Sequence, residues 1–445
     1  MIPLAEVLAH PPATAQAAAI SGEDLHALVR QLYPICRSIT GDGVRQTLAV
    51  LQEYLPGLEV HEVPTGTPVL DWQVPREWNI RDAWIKDRRG ERVVDFRQHN
   101  LHVLGYSVPV RGTFTLAELK KHLYTLPEQP HLIPYRTAYY AETWGFCLAH
   151  AQLEALHEPE YEVCIDSTLA AGALTYGELL LPGDTDEEVL ISSHICHPSL
   201  ANDNLSGIAV ATFLARHLLG QPRRYSYRFV FAPGTIGAIT WLSQNVGAVA
   251  RIRHGLVLSL LGETGAFTFK KSRRGTAEID RTVALALREA AAPHRVVDFE
   301  PYGYDERQYC SPGFNLPVGC LSRTPYGQFP EYHTSADDLD FVRPEALLDS
   351  LHLTQAVMHM LEANHRYQNL SPYGEPELGR RGLYAAVSGR PNAARAQLAL
   401  LWVLNLSDGQ HSLLDIAERA GLPFALLQHA AELLLAHDLL APLAD

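Results

Sequence analysis

The sequence predicts an α/β protein built on a mixed, largely parallel sheet that helices flank. Short apolar runs of the kind found in buried parallel strands recur along the chain, at residues 189–191, 228–232 and 255–261. Helical patterns follow or separate them, including an apolar one at 208–219 and a long one at about 344–364. Strands that alternate with helices in this way form a sheet that is covered on both faces.

The remaining elements are predicted from the same patterns. Two helices, at residues 21–33 and 44–54, are separated by a glycine-rich turn. Residues 72–156 combine short alternating segments, turns and many aromatic side chains, which indicates a β-rich region whose aromatics we expect to be core rather than a ligand platform. The other predicted strands are residues 58–63, 161–169, where the main fold resumes, 174–181 and 316–321.

The C-terminal region begins with a linker that is rich in proline and glycine, residues 372–391. Three short helical patterns follow it, and their arrangement resembles a winged helix. From residue 396 onward there is one arginine, Arg419, no lysine and six acidic residues. A DNA reader needs cations against phosphates, so we interpret this module as a packing or dimerisation element.

Composition excludes several classes of protein. The chain has 445 residues, 47% of them hydrophobic and 19% charged, which fits a globular protein of two to four domains. A net charge of −14 disfavours nucleic acid as a partner, and no apolar run is long enough to cross a membrane. The six cysteines are scattered, and the N-terminus lacks a secretory signal pattern. We therefore expect a cytoplasmic protein.

Candidate metal ligands lie between the strand at 189–191 and the helix at 208–219. His194, His197 and Asp203 fall within ten residues at this junction. Loops that leave the carboxyl ends of strands form the ligand sites of open α/β sheets. Imidazole and carboxylate groups together suit zinc, so we favour a zinc site over a loop with two incidental histidines.

The stretch from His194 through Ala-Asn-Asp-Asn-Leu-Ser-Gly at 201–207 resembles the metal loop of the zinc aminopeptidase superfamily. With the stretches at 35–45, 268–275 and 331–335, the chain resembles a bacterial aminopeptidase-like family of that superfamily. The resemblance implies a zinc exopeptidase-like domain at 1–66 and 157–370, an inserted β-rich domain at 67–156 and a winged-helix-like domain at 371–445.

The resemblance also implies roles for particular residues. In the superfamily the first aspartate of the loop bridges two zinc ions, so His194, Asp203 and the later His333 are the expected ligands, and Glu263 could add a carboxylate. Either Cys196 or His197 could orient His194 without binding the metal. The expected substrate-binding residues are Arg37, Arg273 and Tyr304, although Arg37 could equally be an ordinary surface ion.

One departure from the superfamily pattern concerns the residues after the strand at 228–232. Active members carry a glutamate pair there, as general base and zinc ligand, whereas this chain has Gly234 and Thr235, which cannot abstract a proton. We therefore expect one zinc ion rather than two. Asp305, Glu306 and Glu331 are the candidates for a substitute base.

These observations predict a zinc-dependent hydrolase in which a metal-activated water attacks the carbonyl of a small peptide or aminoacyl amide. The alternative is a catalytically altered member, in which the loss of the base at Gly234 leaves other amide chemistry or a binding scaffold. A transcriptional regulator is disfavoured by the acidic C-terminal module. Self-association into a homo-oligomer is compatible with all three.

Overall fold

The computed structural model describes residues 20–384 and 393–443. Residues 1–19, at the start of the predicted first domain, and residues 385–392, in the predicted linker, lie outside the described residues. The described helices are α1 (Gly22–Leu32), α2 (Asp42–Tyr54), α3 (Leu116–Leu119), α4 (His150–Glu154), α5 (Gly207–Leu219), α6 (Ile236–Gln244), α7 (Val246–Val249), α8 (Glu278–Ala290), α9 (Glu306–Tyr309), α10 (Pro344–Ala363), α11 (Ala393–Leu406), α12 (Leu413–Ala420) and α13 (Phe424–Leu435).

The described strands are β1 (Glu59–Pro64), β2 (Pro68–Val69), β3 (Trp72–Gln73), β4 (Glu77–Lys86), β5 (Arg92–Asp95), β6 (Val110–Thr115), β7 (Leu123–Tyr124), β8 (Phe146–Cys147), β9 (Glu160–Ala170), β10 (Ala173–Leu181), β11 (Glu188–His194), β12 (Ser226–Ala232), β13 (Ile252–Leu258), β14 (Phe267–Lys270), β15 (His294–Val297), β16 (Val318–Ser322), β17 (Arg366–Asn369), β18 (Asp408–Ser412) and β19 (Leu440–Pro442). None of the helices in this part of the chain combines the length and apolarity that a membrane crossing needs.

The described residues form two compact units. The larger falls within Ala18–Ala277 and Pro293–His352, and the smaller comprises Glu278–Ala292 and the residues from Leu353 onward.

An eight-stranded sheet is the centre of the larger unit. Its strand order is β1-β10-β12-β11-β13-β16-β14-β15. The four middle strands, β12, β11, β13 and β16, run parallel, whereas antiparallel pairs join them to the outer strands. All residues of β11 and β12 are buried, which is why each contains an apolar run, at 189–191 and 229–232. The predicted mixed, largely parallel sheet is confirmed.

A second, four-stranded antiparallel sheet has the order β5-β4-β9-β6. We expected the main fold to resume at residue 161, but β9 pairs with β4 and β6 in this smaller sheet. Buried and more exposed residues alternate along β9, as they do in an antiparallel strand with one covered face. The main sheet resumes only with β10, which begins at Ala173. The boundaries of the three domains that the sequence predicts stay predictions.

The smaller unit contains α8, α11, α12 and α13 with a three-stranded sheet of order β18-β17-β19. Arg281 of α8 pairs with Asp415 at 2.6 Å and with Glu418 at 2.6 Å, both on α12. Glu289 of α8 accepts a hydrogen bond from the backbone N–H of Phe424 at 2.8 Å. Two of the acids of this module therefore pair within their own unit, in keeping with a packing role.

A buried ion cluster links the strands on one side of the main sheet. Arg228 on β12 donates to both oxygens of Glu188 on β11, at 2.5 and 2.9 Å, and pairs with Glu178 on β10. Trp241 of α6 donates to the same Glu178 at 2.8 Å. Arg228 is 5% exposed and Glu188 1% exposed, so each charge depends on its partners for the solvation that water no longer supplies.

We predict that Arg228→Met lowers the free energy of unfolding by about 3–5 kcal/mol, because it leaves Glu178 buried without its cation and leaves Glu188 with the half-exposed Arg251 as its remaining ion pair. Arg253→Met is the matched control, since Arg253 is half-exposed and pairs with Glu187 at the surface, where a pair contributes about 0–1 kcal/mol. Urea denaturation of both variants measures the difference. Equal losses would mean that the buried cluster does not stabilise the sheet more than a surface pair does.

Candidate functional site

The site is centred on the carboxylate of Asp203, which two imidazoles contact. His194 Nε2 lies 2.9 Å from Asp203 Oδ1, and His333 Nε2 lies 3.0 Å from Asp203 Oδ2. His194 is the last residue of β11, Asp203 is in the loop that follows, and His333 is in the loop after β16. Since β11 and β16 run in the same direction in the sheet, both histidines come from its carboxyl edge.

The loop between β11 and α5 is held by the side chains on either side of Asp203. Asn204 donates to Ser193 Oγ at 3.0 Å and accepts from the N–H of Leu260 at 3.2 Å. Asn202 accepts from the N–H of Gly262 at 2.8 Å. These side-chain amides hold the loop against the segment that follows β13. They do not contact the Asp203 carboxylate, whose two oxygens contact the imidazoles.

Asp337, which is distant in sequence, supports the same loop. Its carboxylate accepts hydrogen bonds from the backbone N–H of Asn202 at 2.5 Å and of Asp203 at 3.0 Å. Burial raises the pKa of Asp337 to about 8, against the two N–H donors, which favour the charged form. Sequence reasoning missed this residue, because a carboxylate 134 positions away leaves no local signal.

The electrostatics of the cluster suit a cation. Burial disfavours the charged form of Asp203, but the imidazoles of His197, His194 and His333 outweigh burial and hold its pKa well below the usual range. Burial also lowers the pKa of His197 to about 3, so this imidazole is neutral near pH 7. Neutral imidazoles and an ionised carboxylate are the protonation states that metal binding requires.

His197 belongs to the cluster. Ligand atoms of His194, His197 and Asp203 all lie within 4.8 Å of one another. Arg37 donates from Nε to the backbone carbonyl of His197 at 2.9 Å, and it is 1% exposed. Arg37 thus supports the metal loop and is no surface ion. The spacing of His197 three residues after His194 was the available sequence signal for the histidine.

The donor set fits zinc. Two imidazoles and a carboxylate within one cluster are ligand types that zinc takes in catalytic sites. The other ring nitrogen of His194, Nδ1, is buried without a hydrogen-bond partner among the described residues. The ring of Tyr304 stacks on His194 with centroids 5.0 Å apart and fixes its plane.

A cavity of about 290 Å³ opens over this cluster. His194 and His197 form part of its floor, and Trp72, Tyr139 and Tyr140 form an aromatic wall. Trp72 and Tyr140 are 50% and 56% exposed, with ring centroids 5.6 Å apart. Our expectation that the aromatics of the β-rich region are core is wrong for these two rings, because they face the cavity at the edge of that region.

Asp305 lies beside the position where the superfamily carries its glutamate. A Cβ added at Gly234 would sit 3.4 Å from Asp305 Oδ1 and 3.1 Å from His194 Cβ. Asp305 is 1% exposed, lines the cavity, and has neither oxygen hydrogen-bonded among residues 20–384 and 393–443. Burial raises its pKa to about 7. The structure therefore brings one of the three candidate bases to the metal cluster.

The other two candidate bases are placed differently. Glu306 is fully buried and pairs with Lys270, which also donates to the carbonyl of Tyr302 at 2.8 Å. Glu331 contributes a backbone carbonyl, which accepts from the N–H of Thr334 at 3.1 Å. The pairing of Glu306 with a cation leaves it poorly suited to accept a proton.

Two further predicted site residues lie away from the cluster. The Glu263 carboxylate accepts from the backbone N–H groups of Gly265 and Thr324, so it holds its own loop and does not join the ligands. Arg273 is exposed and donates to Asn315 at 2.9 Å, and it does not line the cavity. Tyr304 does line the cavity, as expected of a substrate-binding residue.

Comparison with known proteins gives two family matches. Residues 26–364 match the family described as a domain of unknown function, DUF4910, and residues 365–442 match a winged helix-turn-helix family. The winged helix that the C-terminal pattern predicts is confirmed.

Relatives of similar length exist in Clostridium acetobutylicum. One, provisionally named a polysaccharide biosynthesis protein with an aminopeptidase-like domain, is 48% identical over 420 residues, which are 94% of this chain and 96% of that protein. A crystal structure of a provisionally assigned peptidase from the same organism is 47% identical, covers 95% of this chain and 96% of that chain, and superposes with a TM-score of 0.91.

The fold is shared more widely. BSAP, a zinc aminopeptidase from Bacillus subtilis, is 12% identical and has a TM-score of 0.57 over 78% of this chain and 96% of that chain. This likeness shows the fold alone. Together with the near relatives, it confirms the aminopeptidase-like family that the sequence motifs indicated.

We predict that His333→Ala binds less than about a tenth of an equivalent of zinc while it stays folded, because the remaining ligands leave an open shell. His131→Ala, at an exposed histidine, is the control and should retain zinc. Elemental analysis and thermal melting of both variants are the measurements. Full zinc in His333→Ala would remove it from the ligand set, and a parallel His197→Ala variant shows whether that ring binds zinc or only neighbours it.

His254 is not a suitable control histidine for this test. It is 5% exposed, and its Nε2 lies 3.2 Å from the hydroxyl of Tyr225. Its removal would disturb a buried contact.

We also predict that Asp337→Ala weakens zinc binding by about 10- to 100-fold, because two N–H groups of the metal loop lose their acceptor and Asp203 is no longer held in place. The adjacent Asp338→Ala is the control. The Asp338 carboxylate accepts hydrogen bonds from the backbone N–H groups of Asp340 and Phe341 rather than from the loop that contains Asp203. Competition titration with a chelator gives both affinities. Equal affinities in the two variants would show that the loop keeps its form without Asp337.

Proposed function

We propose, because the chain belongs to the DUF4910 family and has aminopeptidase-like relatives, that it is a zinc-dependent hydrolase of amide bonds. One observation carries the proposal: a buried carboxylate with an imidazole on each oxygen lies under a cavity that Asp305 also lines, buried and without a hydrogen bond to either oxygen within the described part of the chain. A metal cluster and a free carboxylate in one cavity are the two parts that hydrolysis of an amide requires.

His194, His197 and Asp203 would hold the ion, with His333 on the other oxygen of Asp203. Zinc in such a site polarises a carbonyl and makes water more acidic. We propose one ion, since Gly234 stands where the superfamily has a carboxylate ligand and Glu263 is engaged with backbone N–H groups.

Asp305 supplies the proton transfer that Gly234 cannot. Its carboxylate would accept a proton from the attacking water and then donate that proton to the leaving amine. The carboxyl group belongs to the segment that begins α9, whereas the superfamily's base follows the strand equivalent to β12. In this chain the carboxylate in that region of the cavity therefore comes from the start of α9 and not from the loop after β12.

The cavity favours a small substrate. About 290 Å³ accommodates one or two residues of a peptide or an aminoacyl group, and the aromatic wall provides apolar contact. The exposed faces of Trp72 and Tyr140 also suit a sugar ring, and the provisional name of the Clostridium relative favours an amide carried on a saccharide. The acidic smaller unit supports self-association over nucleic-acid binding, and the scattered spacing of the six cysteines supports the cytoplasm.

The second candidate is a catalytically altered member that binds amides or transforms them without hydrolysis. Gly234 favours it. Gly234→Glu separates the two candidates, because a strong gain of amidase activity would show that the native site is not tuned for hydrolysis. Efficient cleavage of aminoacyl amides by the native protein would exclude this candidate.

We predict that Asp305→Asn lowers turnover of aminoacyl p-nitroanilides by about 100-fold or more, the size of a general-base contribution, while zinc content is unchanged. Gln308→Glu is a control for the neighbouring helix, since Gln308 lies one turn later. Turnover equal to that of the native chain would exclude Asp305 as the base.

A carboxylate restored from the other element gives a sharper test. In the double variant Gly234→Glu/Asp305→Ala, the glutamate would extend from the loop after β12 into the space vacated by Asp305. We expect turnover about tenfold above that of Asp305→Ala alone. If both variants retain zinc and fold but the double variant gains nothing, the two positions are not equivalent.

A further inference from the structure

We infer that the substrate carries an anionic oxyanion group, a carboxylate or a phosphate, and that Arg307 binds it within the cavity. This inference rests on the proposed site, because Arg307 lines the same cavity as His194 and Asp305. It goes further by naming a chemical feature of the substrate that the metal cluster does not define.

Arg307 lacks the partners that an arginine of this kind normally has. Among residues 20–384 and 393–443, no carboxylate lies within 4.0 Å of its guanidinium, and its Nε is buried without a hydrogen-bond acceptor. A buried donor without an acceptor costs free energy unless a ligand supplies one. A ligand in the cavity is the acceptor that the geometry permits.

Several other partly or fully buried arginines of the larger unit pair with carboxylates. Arg45 pairs with Glu77 at 2.7 Å, Arg228 with Glu188 at 2.5 Å, and Arg323 with Asp349 at 2.6 Å. Arg37 is also buried without a carboxylate partner among the described residues, but it donates to the backbone carbonyls of His197 and Leu32 at 2.9 and 2.7 Å. The guanidinium of Arg307, at the wall of the cavity, makes no hydrogen bond within the described residues. The difference indicates that the guanidinium of Arg307 binds a ligand that enters the cavity.

The surroundings of Arg307 fit a planar oxyanion. Its guanidinium carbon lies 5.7 Å from the ring centroid of Tyr302, which supports one face of the group. Asp305 lines the same cavity, near His194. A guanidinium presents two parallel donors that match a carboxylate or phosphate, and the resulting charge-assisted bonds are stronger than those to a neutral acceptor.

The test compares pairs of probes that differ only in charge. Leucylglycine is compared with its C-terminal amide, and leucyl-O-phosphoserine amide with leucylserine amide, by calorimetric titration into the full chain as purified and after chelator treatment. We expect at least one anionic probe to bind about 10- to 100-fold more tightly than its neutral match, the size of a hydrogen-bonded charge contact. Which pair shows the preference distinguishes carboxylate from phosphate.

The preference should disappear in Arg307→Gln and persist in part in Arg307→Lys, which keeps the charge but loses the paired donors. Arg274→Gln is the matched control, since Arg274 is exposed and donates to the carbonyl of Asn315 at 2.9 Å. Equal binding of anionic and neutral probes by the native chain, or a preference that survives Arg307→Gln, would overturn the inference. A preference in the chelator-treated chain would support it even if the chain proved not to be a hydrolase.

Discussion

A single buried carboxylate, that of Asp203, is the constraint on which the site depends. It is fully buried, and an ionised carboxylate in such a place is tolerated only with partners on each oxygen. His194 and His333 provide them, and Asp337 holds the backbone that carries the group. The loop amides, the second loop after β16 and the plane of the His194 ring all serve this one arrangement.

The cavity divides its chemistry among elements that are distant in sequence. The loop after β11 contains the candidate metal ligands, the segment at the start of α9 provides Asp305, and Trp72 and Tyr140 provide an apolar wall. Because Gly234 has no side chain, there is space beside it, and Asp305 lies next to that space. In the proposed hydrolase, the base would therefore come from a different element than in the superfamily, while its carboxylate stays beside the candidate metal ligands.

Several buried charges of the larger unit are ion-paired, whereas two charged side chains at the cavity are not. Arg228 and Glu188 are buried together, and Glu306 is buried with Lys270. Such pairs hold the fold, because removal of either partner leaves an unsolvated charge. Asp305 and Arg307, on either side of Glu306, line the cavity, and neither forms an ion pair with any residue that the structure describes. Unsatisfied groups that converge on a cavity mark the place where a ligand completes the structure.

The sequence by itself determined the local features: the apolar strands of the sheet, the helices between them, and the loop in which His194 and Asp203 lie nine residues apart. These depend on periodicity and short spacings, which a single sequence records. Only the tertiary structure decided which distant residues meet. It placed Asp305 beside Gly234 and Asp337 under the metal loop, and it took Glu263 out of the ligand set. It also placed β9 in the smaller sheet. Such contacts depend on strand order and loop packing, which leave no periodic trace in the chain.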